Sequence, residues 1–307
     1  MATVNERVGL TQAMVINGVD AGGAMTAIIN AGFDNILRSS PDGLQVPVKD
    51  KDVQFVRGTI TTQDWVEAIN LLTGVVGTYV FYERKSGVAP ATGYIKHTIT
   101  APVIYSVAIS IIQGGYATLT FNFECRPADE AKTIADMWAM TDDQAAPTYV
   151  SAARGGFRIE TCKHDPAGGS ELQVYHLTRF DFTLAMPLVK ACNDGDVGYT
   201  CVDARLDGLM AVGSISFRDS TIASAKLMAQ QLLLASKASL ELYIRQSQAA
   251  ASKVITIAGV DFNNIGNSSD VNTPFTEYTS AFDVGNDTGT QLTLEGDNKI
   301  ITIEDEV

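Results

Sequence analysis

Alternating apolar and polar residues along most of the chain predict β-strands. The clearest case is 117–126, where Leu119, Phe121, Phe123 and Cys125 alternate with polar residues. A strand with one buried face has this period of two. Further strands are predicted over the ranges 24–37, 53–61, 78–84, 94–110, 157–162, 171–184, 209–217, 239–245, 253–262, 275–284 and 291–303. The chain is therefore predicted to be mainly β.

Three short segments have helical spacing instead. The first follows a Thr61 or Thr62 cap and ends at Gly74, with Trp65 and Ile69 on one side. The second, over 127–141, begins at Pro127, which is favoured in the first turn of a helix. The third runs over 219–236. Each half of the chain is thus predicted to contain strands and a short flanking helix.

Polar and glycine-rich or proline-rich segments predict the connections. Residues 1–20 are predicted to be an N-terminal arm and residues 144–156 the junction between two halves. The longest connection, 38–53, carries Pro41, Pro47 and alternating charges, which predicts an exposed loop or protruding hairpin. Residues 163–169 and 263–274 are predicted to be a turn and a polar loop.

The second half resembles a diverged copy of the first. Five short matches recur in the same order about 150 residues later, as loop insertions and deletions permit. They are Gly22-Gly23 with Gly168-Gly169, "FDNIL" (33–37) with "FDFTL" (180–184), "GTITTQD" (58–64) with "GSISFRD" (213–219), Tyr82-Glu83-Arg84 with Tyr243-Ile244-Arg245, and Ile99-Thr100 with Ile255-Thr256. Coincidence is the alternative, because each match is short. The repeat predicts two β-sandwich or barrel-like domains, residues 1–150 and 151–307.

Composition narrows the class of protein. With 307 residues, 46% hydrophobic and 19% charged, the chain is predicted to fold into two domains of ordinary size. Its formal net charge of −13 argues against gripping nucleic-acid phosphates but suits a surface past which DNA slides. The four cysteines, with no metal-ligand spacing, predict reduced, buried thiols rather than disulfides. The first residues do not resemble a secretory signal and no apolar stretch is long enough for a membrane span, so we expect synthesis in a cytoplasm.

Candidate catalytic and metal-binding residues are few. The histidines are His97, His164 and His176, and only His164 has a neighbouring acid, Asp165, whose side chain an adjacent residue rarely faces. "NDGDVG" offers Asn193, Asp194 and Asp196 for Ca²⁺, but it lacks the rest of a known calcium loop and predicts a tight turn. The acidic residues 304–306 are predicted to be solvated in a frayed tail. We therefore predict no catalytic, cofactor-binding or metal-binding residues, and no enzyme.

Several first-half motifs together resemble those of the tail tube proteins of tailed bacteriophages. They are "VINGVDAGG" (15–23), "FDNIL", the proline-rich charged loop, and "VRGTITTQD" (56–64) leading into a short helix. The resemblance covers most of the first half and reaches the second only through the repeat. It implies a sandwich or barrel-like module flanked by a helix. In that family, strands of neighbouring subunits join into a barrel around a DNA channel, and a long loop touches the next ring.

The resemblance also implies a function. The chain would be the major tail tube subunit, a structural virion protein that assembles in the host cytoplasm into stacked rings for DNA ejection. Most family members have one module and form hexameric rings, so two modules imply trimeric, pseudo-hexameric rings. The implied partners are other copies of the chain, a tape-measure protein, other tail proteins and DNA in transit, with no membrane and no cofactor.

Other functions remain open from the sequence. A tail terminator or distal tail ring protein would differ from a tube subunit in copy number. A two-domain adhesin or carbohydrate-binding module would carry aromatic residues on an exposed sheet face. The aromatic residues here have core spacing instead, namely Phe55, Trp65, Tyr79, Phe81, Phe121 and Phe123. A hydrolase built from scattered acidic residues finds no support in their spacing.

Overall fold

The computed structural model describes a mainly β protein with almost no helix. It describes residues 7–16, 19–20, 24–38, 48–63, 78–85, 92–125, 133–145, 158–166, 172–174, 176–186, 188–191, 203–206, 208–218, 238–245, 251–268, 276–285, 292 and 299–305. All strand pairs within this part of the chain are antiparallel. The mainly β prediction is confirmed.

The described elements of the first half are nine strands and one helical turn. In chain order they are β1 (Arg7–Ile16), β2 (Val19–Asp20), β3 (Ala24–Arg38), β4 (Val48–Thr62), β5 (Thr78–Lys85), β6 (Tyr94–Thr100), β7 (Pro102–Ile112), β8 (Thr118–Cys125), α1 (Ile134–Met137) and β9 (Trp138–Gln144).

The described elements of the second half are all strands. They are β10 (Arg158–Pro166), β11 (Leu172–Val174), β12 (Leu177–Ala185), β13 (Leu188–Ala191), β14 (Asp203–Leu206), β15 (Met210–Arg218), β16 (Ala238–Arg245), β17 (Lys253–Ser268), β18 (Glu277–Val284) and β19 (Ile301–Asp305).

These strands form one large sheet and two smaller ones. The small sheets have the orders β2-β1-β5-β6-β9 and β13-β14. The large sheet has twelve strands in the order β11-β10-β16-β17-β18-β15-β12-β7-β8-β4-β3, with β19 also pairing with β17. The pairing of β12 with β7 joins the two halves of the chain in one sheet. The sheets are open, so the described chain does not itself close a barrel.

Buried side chains of both halves form one continuous core. The ring of Tyr79 on β5 meets Phe121 and Phe123 on β8 edge-on, at centroid distances of 6.0 and 5.5 Å. In the second half Phe282 packs against Phe262 at 5.4 Å. Burying such rings is the main favourable term in folding, and edge-on contacts add to it. The core positions predicted for Tyr79, Phe81, Phe121 and Phe123 are confirmed. The core position predicted for Phe55 is wrong, because Phe55 is only partly buried and lies beneath the Arg57 guanidinium, and Trp65 lies outside the described residues.

Two glycines lie beneath aromatic rings at matching places in the large sheet. Gly58 on β4 pairs with Phe123, and Gly213 on β15 pairs with Phe282. A Cβ at Gly58 would lie 2.4 Å from the Phe123 ring, and one at Gly213 would lie 2.2 Å from the Phe282 ring. Glycine is therefore required at both positions by close packing.

Irregularities of the strands also recur at matching places. The β3–β4 register shifts between Ala24 and Thr26, and the β12–β15 register shifts between Leu177 and Arg179. A second shift follows Ile104 in β7–β8 and Phe262 in β17–β18.

Left-handed backbone marks another such pair of sites. Ala101, with φ of 53°, separates β6 from β7, and Gly259, with φ of 70°, lies within β17. Strand β17 pairs with β19 up to Ile257 and with β16 up to Val260. From Val260 on it pairs with β18. In the first half, these pairings are divided between two strands, because β6 pairs with β5 and β9 whereas β7 pairs with β8.

Sheet pairing overrides several sequence predictions. The predicted helix over 127–141 is wrong beyond Met137, because Trp138–Gln144 pairs with β6 as β9. The predicted strand over 94–110 is interrupted at Ala101. The arm predicted over 1–20 contains β1 and β2, which complete the small sheet. In each case pairing with a neighbouring strand satisfies backbone groups that a local pattern does not account for.

Predicted connections are also shorter than expected. The loop predicted over 38–53 is too long, because β3 and β4 pair as far as Arg38 and Val48. Strand β10 continues to Pro166 and β17 to Ser268, through the predicted turn and polar loop. Glu304 and Asp305 pair with β17 instead of fraying.

Some predictions fall beyond the described residues. The helix predicted over 61–74 lies outside them from residue 64 on, and its two proposed caps, Thr61 and Thr62, belong to β4. The helix predicted over 219–236 and most of the junction 144–156 also lie outside them. So do Gly22-Gly23 and Gly168-Gly169.

Candidate functional site

The three histidines lie apart and form no common site. His164 is buried on β10, where it packs against Phe262 with 5.4 Å between ring centroids. It lies in strand β10 and not in the predicted turn. His176 is exposed before β12, with a left-handed φ of 53°. The buried position of His164 against Phe262 therefore favours a packing role for its ring.

His97 occupies a cluster that the sequence did not indicate. It is 3% exposed and stacks on Phe81 at 4.4 Å between centroids. Trp138 Nε1 donates a hydrogen bond to His97 Nδ1 at 3.1 Å, and Glu83 Oε2 lies 3.2 Å from Nε2. These contacts join β5, β6 and β9, so the cluster stabilises the small sheet. Its members are far apart in sequence, and no spacing rule would have found it.

Metal and thiol chemistry gain no support from the described residues. Asn193, Asp194 and Asp196 lie outside them, and within them no three acidic, histidine or cysteine side chains cluster as metal ligands. Cys125 and Cys162 are free and buried, and burial raises the pKa of both thiols. Thiols held in the protonated form react slowly.

The largest organised surface is the face of the large sheet that points away from the core, here called the open face. Eight strands contribute to it: β3, β4, β8, β7, β12, β15, β18 and the second half of β17. Along β4 the residues 56, 58, 60 and 62 are buried, whereas Arg57, Thr59 and Thr61 face solvent. Alternation of this kind gives a sheet one apolar and one polar face.

Hydrogen bonds link polar side chains across the strands of the open face. Thr59 Oγ1 donates to Asn122 Oδ1 at 2.7 Å, and Ser110 Oγ donates to Asp181 Oδ1 at 2.6 Å. Two hydroxyl pairs have nearly the same geometry, Thr61 with Thr120 at 2.9 Å and Ser216 with Thr279 at 3.0 Å. Such pairs hold neighbouring strands in register and leave few groups free to bind a ligand.

Each arginine described on the open face has a carboxylate partner. Arg57 Nε lies 2.7 Å from Glu124, and Arg218 Nη2 lies 3.4 Å from Glu277. Arg179 pairs with Asp181, and this contact raises the pKa of the guanidinium further. Asp261 and Asp283 face each other as an additional exposed pair. Among the described side chains, carboxylates thus outnumber arginines here, and each of these three arginines has a carboxylate beside it that competes with a phosphate.

Two strand edges bordering the open face lack partners among the described residues. One is β3, the last strand of the large sheet. The other is the far side of residues 261–268 of β17, where β18 pairs with only one side. Unpaired edges template association with another strand, and proteins normally cover or pair them.

Comparison with known proteins adds no relative. No protein-family model matches the chain, and a search of curated proteins found no match. Within the described part of the chain, no helix has the length and apolar character needed to cross a membrane.

Proposed function

We propose that this protein is the major tail tube subunit of a tailed bacteriophage, a structural virion protein that forms stacked rings around a DNA channel. The observation that carries the proposal is the open face, a broad sheet surface whose described arginines are paired and outnumbered by carboxylates, bordered by two edges without partners among the described strands. Joining these edges between copies would close the sheet with the polar face inside. A lumen with this chemistry repels phosphates and lets DNA move without binding.

We also propose that the chain is a tandem duplication of one β-sandwich module, with halves near 1–150 and 151–307. The matching glycine–phenylalanine pairs and the recurring register shifts support this proposal. The registers equate "GTITTQD" with "GSISFRD", which both begin at the packed glycine. They do not equate "FDNIL" with "FDFTL", because Phe182, not Phe180, opposes Gly213 as Ile29 opposes Gly58.

Barrel geometry favours three chains in a ring. Each chain supplies eight strands to the open face, so three times eight gives 24 strands. With strands about 4.8 Å apart and tilted by about 40°, 24 strands close a barrel roughly 50 Å wide between backbones. By the same geometry, two chains would close a barrel roughly 30 Å wide between backbones. Side chains pointing inward would narrow that opening to about the width of a DNA duplex.

Electron microscopy of the purified protein over a range of concentrations, with mass measured by light scattering, tests this function. Rings or hollow tubes built from units of three times 32.8 kDa are expected. Single rings that never stack would favour the tail terminator or distal ring alternative, which is needed in few copies. A monomer at every concentration would count against assembly and restore the adhesin alternative.

A further inference from the structure

The pairing of β12 with β7, here called the internal junction, joins the two halves of the chain and offers a pattern for pairing between chains. Strand β12 pairs with β7 over seven residues, from Arg179 opposite Ile112 to Ala185 opposite Ser106. Its core face is apolar, as in the pair of Phe182 with Ile109. If the halves are copies, each outer edge of the chain is the counterpart of one strand of this junction.

The counterpart of β12 is β3. Ile29 opposes Gly58 on the neighbouring strand, as Phe182 opposes Gly213. Each strand also has a register shift that begins five residues before this position, at Ala24 before Ile29 and at Leu177 before Phe182. Because β3 ends the large sheet, no described strand is hydrogen-bonded to its outer side, whereas the outer side of β12 is paired with β7.

The counterpart of β7 is the second half of β17. Ile104 opposes Phe123 and Phe262 opposes Phe282, and in each strand the register then shifts by one residue. Counting forward from these positions, Asn267 corresponds to Ile109. The side of β17 that would correspond to the β12-facing side of β7 has no partner among the described residues.

We propose that β3 of one chain pairs antiparallel with residues 264–268 of a second copy, in the register of the internal β12–β7 junction. Ile29 then lies opposite Asn267, Ile28 opposite Ser268, and Ala31 opposite Ile265. The pairing continues the large sheet from chain to chain with the open face on one side. This register rests on the duplication proposed above and specifies how the proposed ring closes.

The chemistry of the two edges fits a reversible contact. Ala27 and Ile29 already pack against the core, and Ile265 lies partly buried at the other edge. Ile28 is 58% exposed on the open face, an apolar side chain that the pairing would flank with Ser268. In the proposed contact, Ile29 and Ala31 stand where the internal junction has Phe182 and Leu184. Asn267 stands where it has Ile109. The chain-to-chain contact is therefore weaker than the internal one and depends on concentration.

Disulfide cross-linking of the full chain tests the register. The double variant Ile28→Cys with Ser268→Cys places two thiols on directly opposed positions, within the Cα separation of about 4.4–6.8 Å that a disulfide needs. The matched control, Ile28→Cys with Asn264→Cys, uses the same strand and face but is four residues out of register, about 14 Å away. Single-cysteine variants and the wild type measure the background from native cysteines, and thermal melts check that each variant folds.

Covalent multimers as the major oxidised product of the Ile28–Ser268 variant, with little from the Ile28–Asn264 variant, are expected. Rings or tubes by electron microscopy without that product would overturn the register and leave the tube function standing. The product without rings or tubes would support the pairing and count against the tube. Absence of both would overturn both proposals.

Discussion

At the scale of single residues, Gly58 and Gly213 are two positions where one added carbon meets both an aromatic ring and a backbone oxygen. A Cβ at Gly58 would lie 2.9 Å from the carbonyl oxygen of Ile28, and one at Gly213 would lie 2.8 Å from that of Asp181. Backbone atoms cannot move aside as a side chain does. The cost is therefore that of overpacking, not of lost glycine flexibility.

We predict that Gly58→Ala and Gly213→Ala each lower the free energy of unfolding by about 1–3 kcal/mol. Urea unfolding followed by circular dichroism measures this. Gly266→Ala is the control, because its Cβ would meet only the Thr279 carbonyl oxygen at 3.9 Å. Equal effects at all three positions would show that the close approach of the rings and carbonyls is not the cause.

The thiol of Cys162 gives a prediction about pH. Burial, with a smaller contribution from Glu241, raises its pKa to about 12. An unfolded thiol ionises near pH 8.5, so the unfolded chain loses this proton first as pH rises. The stabilisation is complete below about pH 8.5 and is lost as pH increases toward 12.

Between pH 8 and 10 the urea midpoint of the wild type should therefore fall more steeply than that of Cys162→Ala. Removing the sulfur lowers stability at every pH, but only the slope reports ionisation. Other titrating groups, among them Cys125, are common to both proteins and cancel in the difference. Parallel pH profiles would mean that Cys162 ionises equally well in the folded protein.

At the scale of elements, the pair of Arg57 on β4 with Glu124 on β8 is the most buried ion pair of the open face. The Glu124 side chain is 10% exposed and that of Arg57 is 36% exposed. Arg57 also lies over the Phe55 ring, 4.0 Å from its centroid. A carboxylate so close to full burial depends on its partner more than an exposed one does.

We predict that Arg57→Ala lowers the free energy of unfolding by about 1–3 kcal/mol, because the largely buried Glu124 side chain loses the hydrogen bond from the guanidinium. The control is Arg179→Ala, which should cost less than about 1 kcal/mol, since Asp181 is more exposed and keeps the hydrogen bond from Ser110. Chemical denaturation of both variants at the same salt concentration compares them. A greater loss from Arg179→Ala would refute the argument from burial.

The hairpin of β3 and β4 yields a prediction about stacking. The strands pair as far as Arg38 and Val48, so residues 39–47 can be replaced by Asn-Gly, a two-residue connection suited to a hairpin. We expect a folded protein that forms rings but not tubes. The reason is that the variant lacks the loop that, by the resemblance to tail tube proteins, would contact the next ring. Circular dichroism reports folding and electron microscopy reports assembly. Normal tubes from this variant would rule out a stacking role for the loop.

Sequence patterns predict elements better than they predict pairings. Strand β8 was predictable because Leu119, Phe121 and Phe123 alternate cleanly with polar residues. Strand β9 was not, because its exposed residues lack alternation and its place depends on pairing with β6. The contact of Arg57 with Glu124 joins residues 67 positions apart, and only the register determines it. The acidic balance of the site was predictable from composition, but not the residues that carry it.

At the scale of the whole molecule, the formal net charge of −13 and the paired arginines of the open face act together. Net charge sets long-range repulsion of DNA, whereas the carboxylate partners determine whether any cation is available at contact distance. These two effects can be separated, because neutralising three acids changes net charge equally wherever they lie. Neutralising the acids that pair with Arg57, Arg179 and Arg218 also releases these three arginines on one surface.

We predict that the triple variant Glu124→Gln, Asp181→Asn and Glu277→Gln binds duplex DNA detectably at low salt, whereas the wild type does not. Three released arginines would give a slope of log K against log salt concentration of up to about −2.7. The control neutralises three acids that are not ion-paired with a described arginine, Asp142→Asn, Asp261→Asn and Glu304→Gln, and Lys85 keeps Asp143 as its partner when Asp142 is changed. Gel-shift titrations at several salt concentrations compare the two. Equal binding by both variants would mean that net charge alone governs contact with DNA, and the pairing of arginines on the open face would then have no part in it.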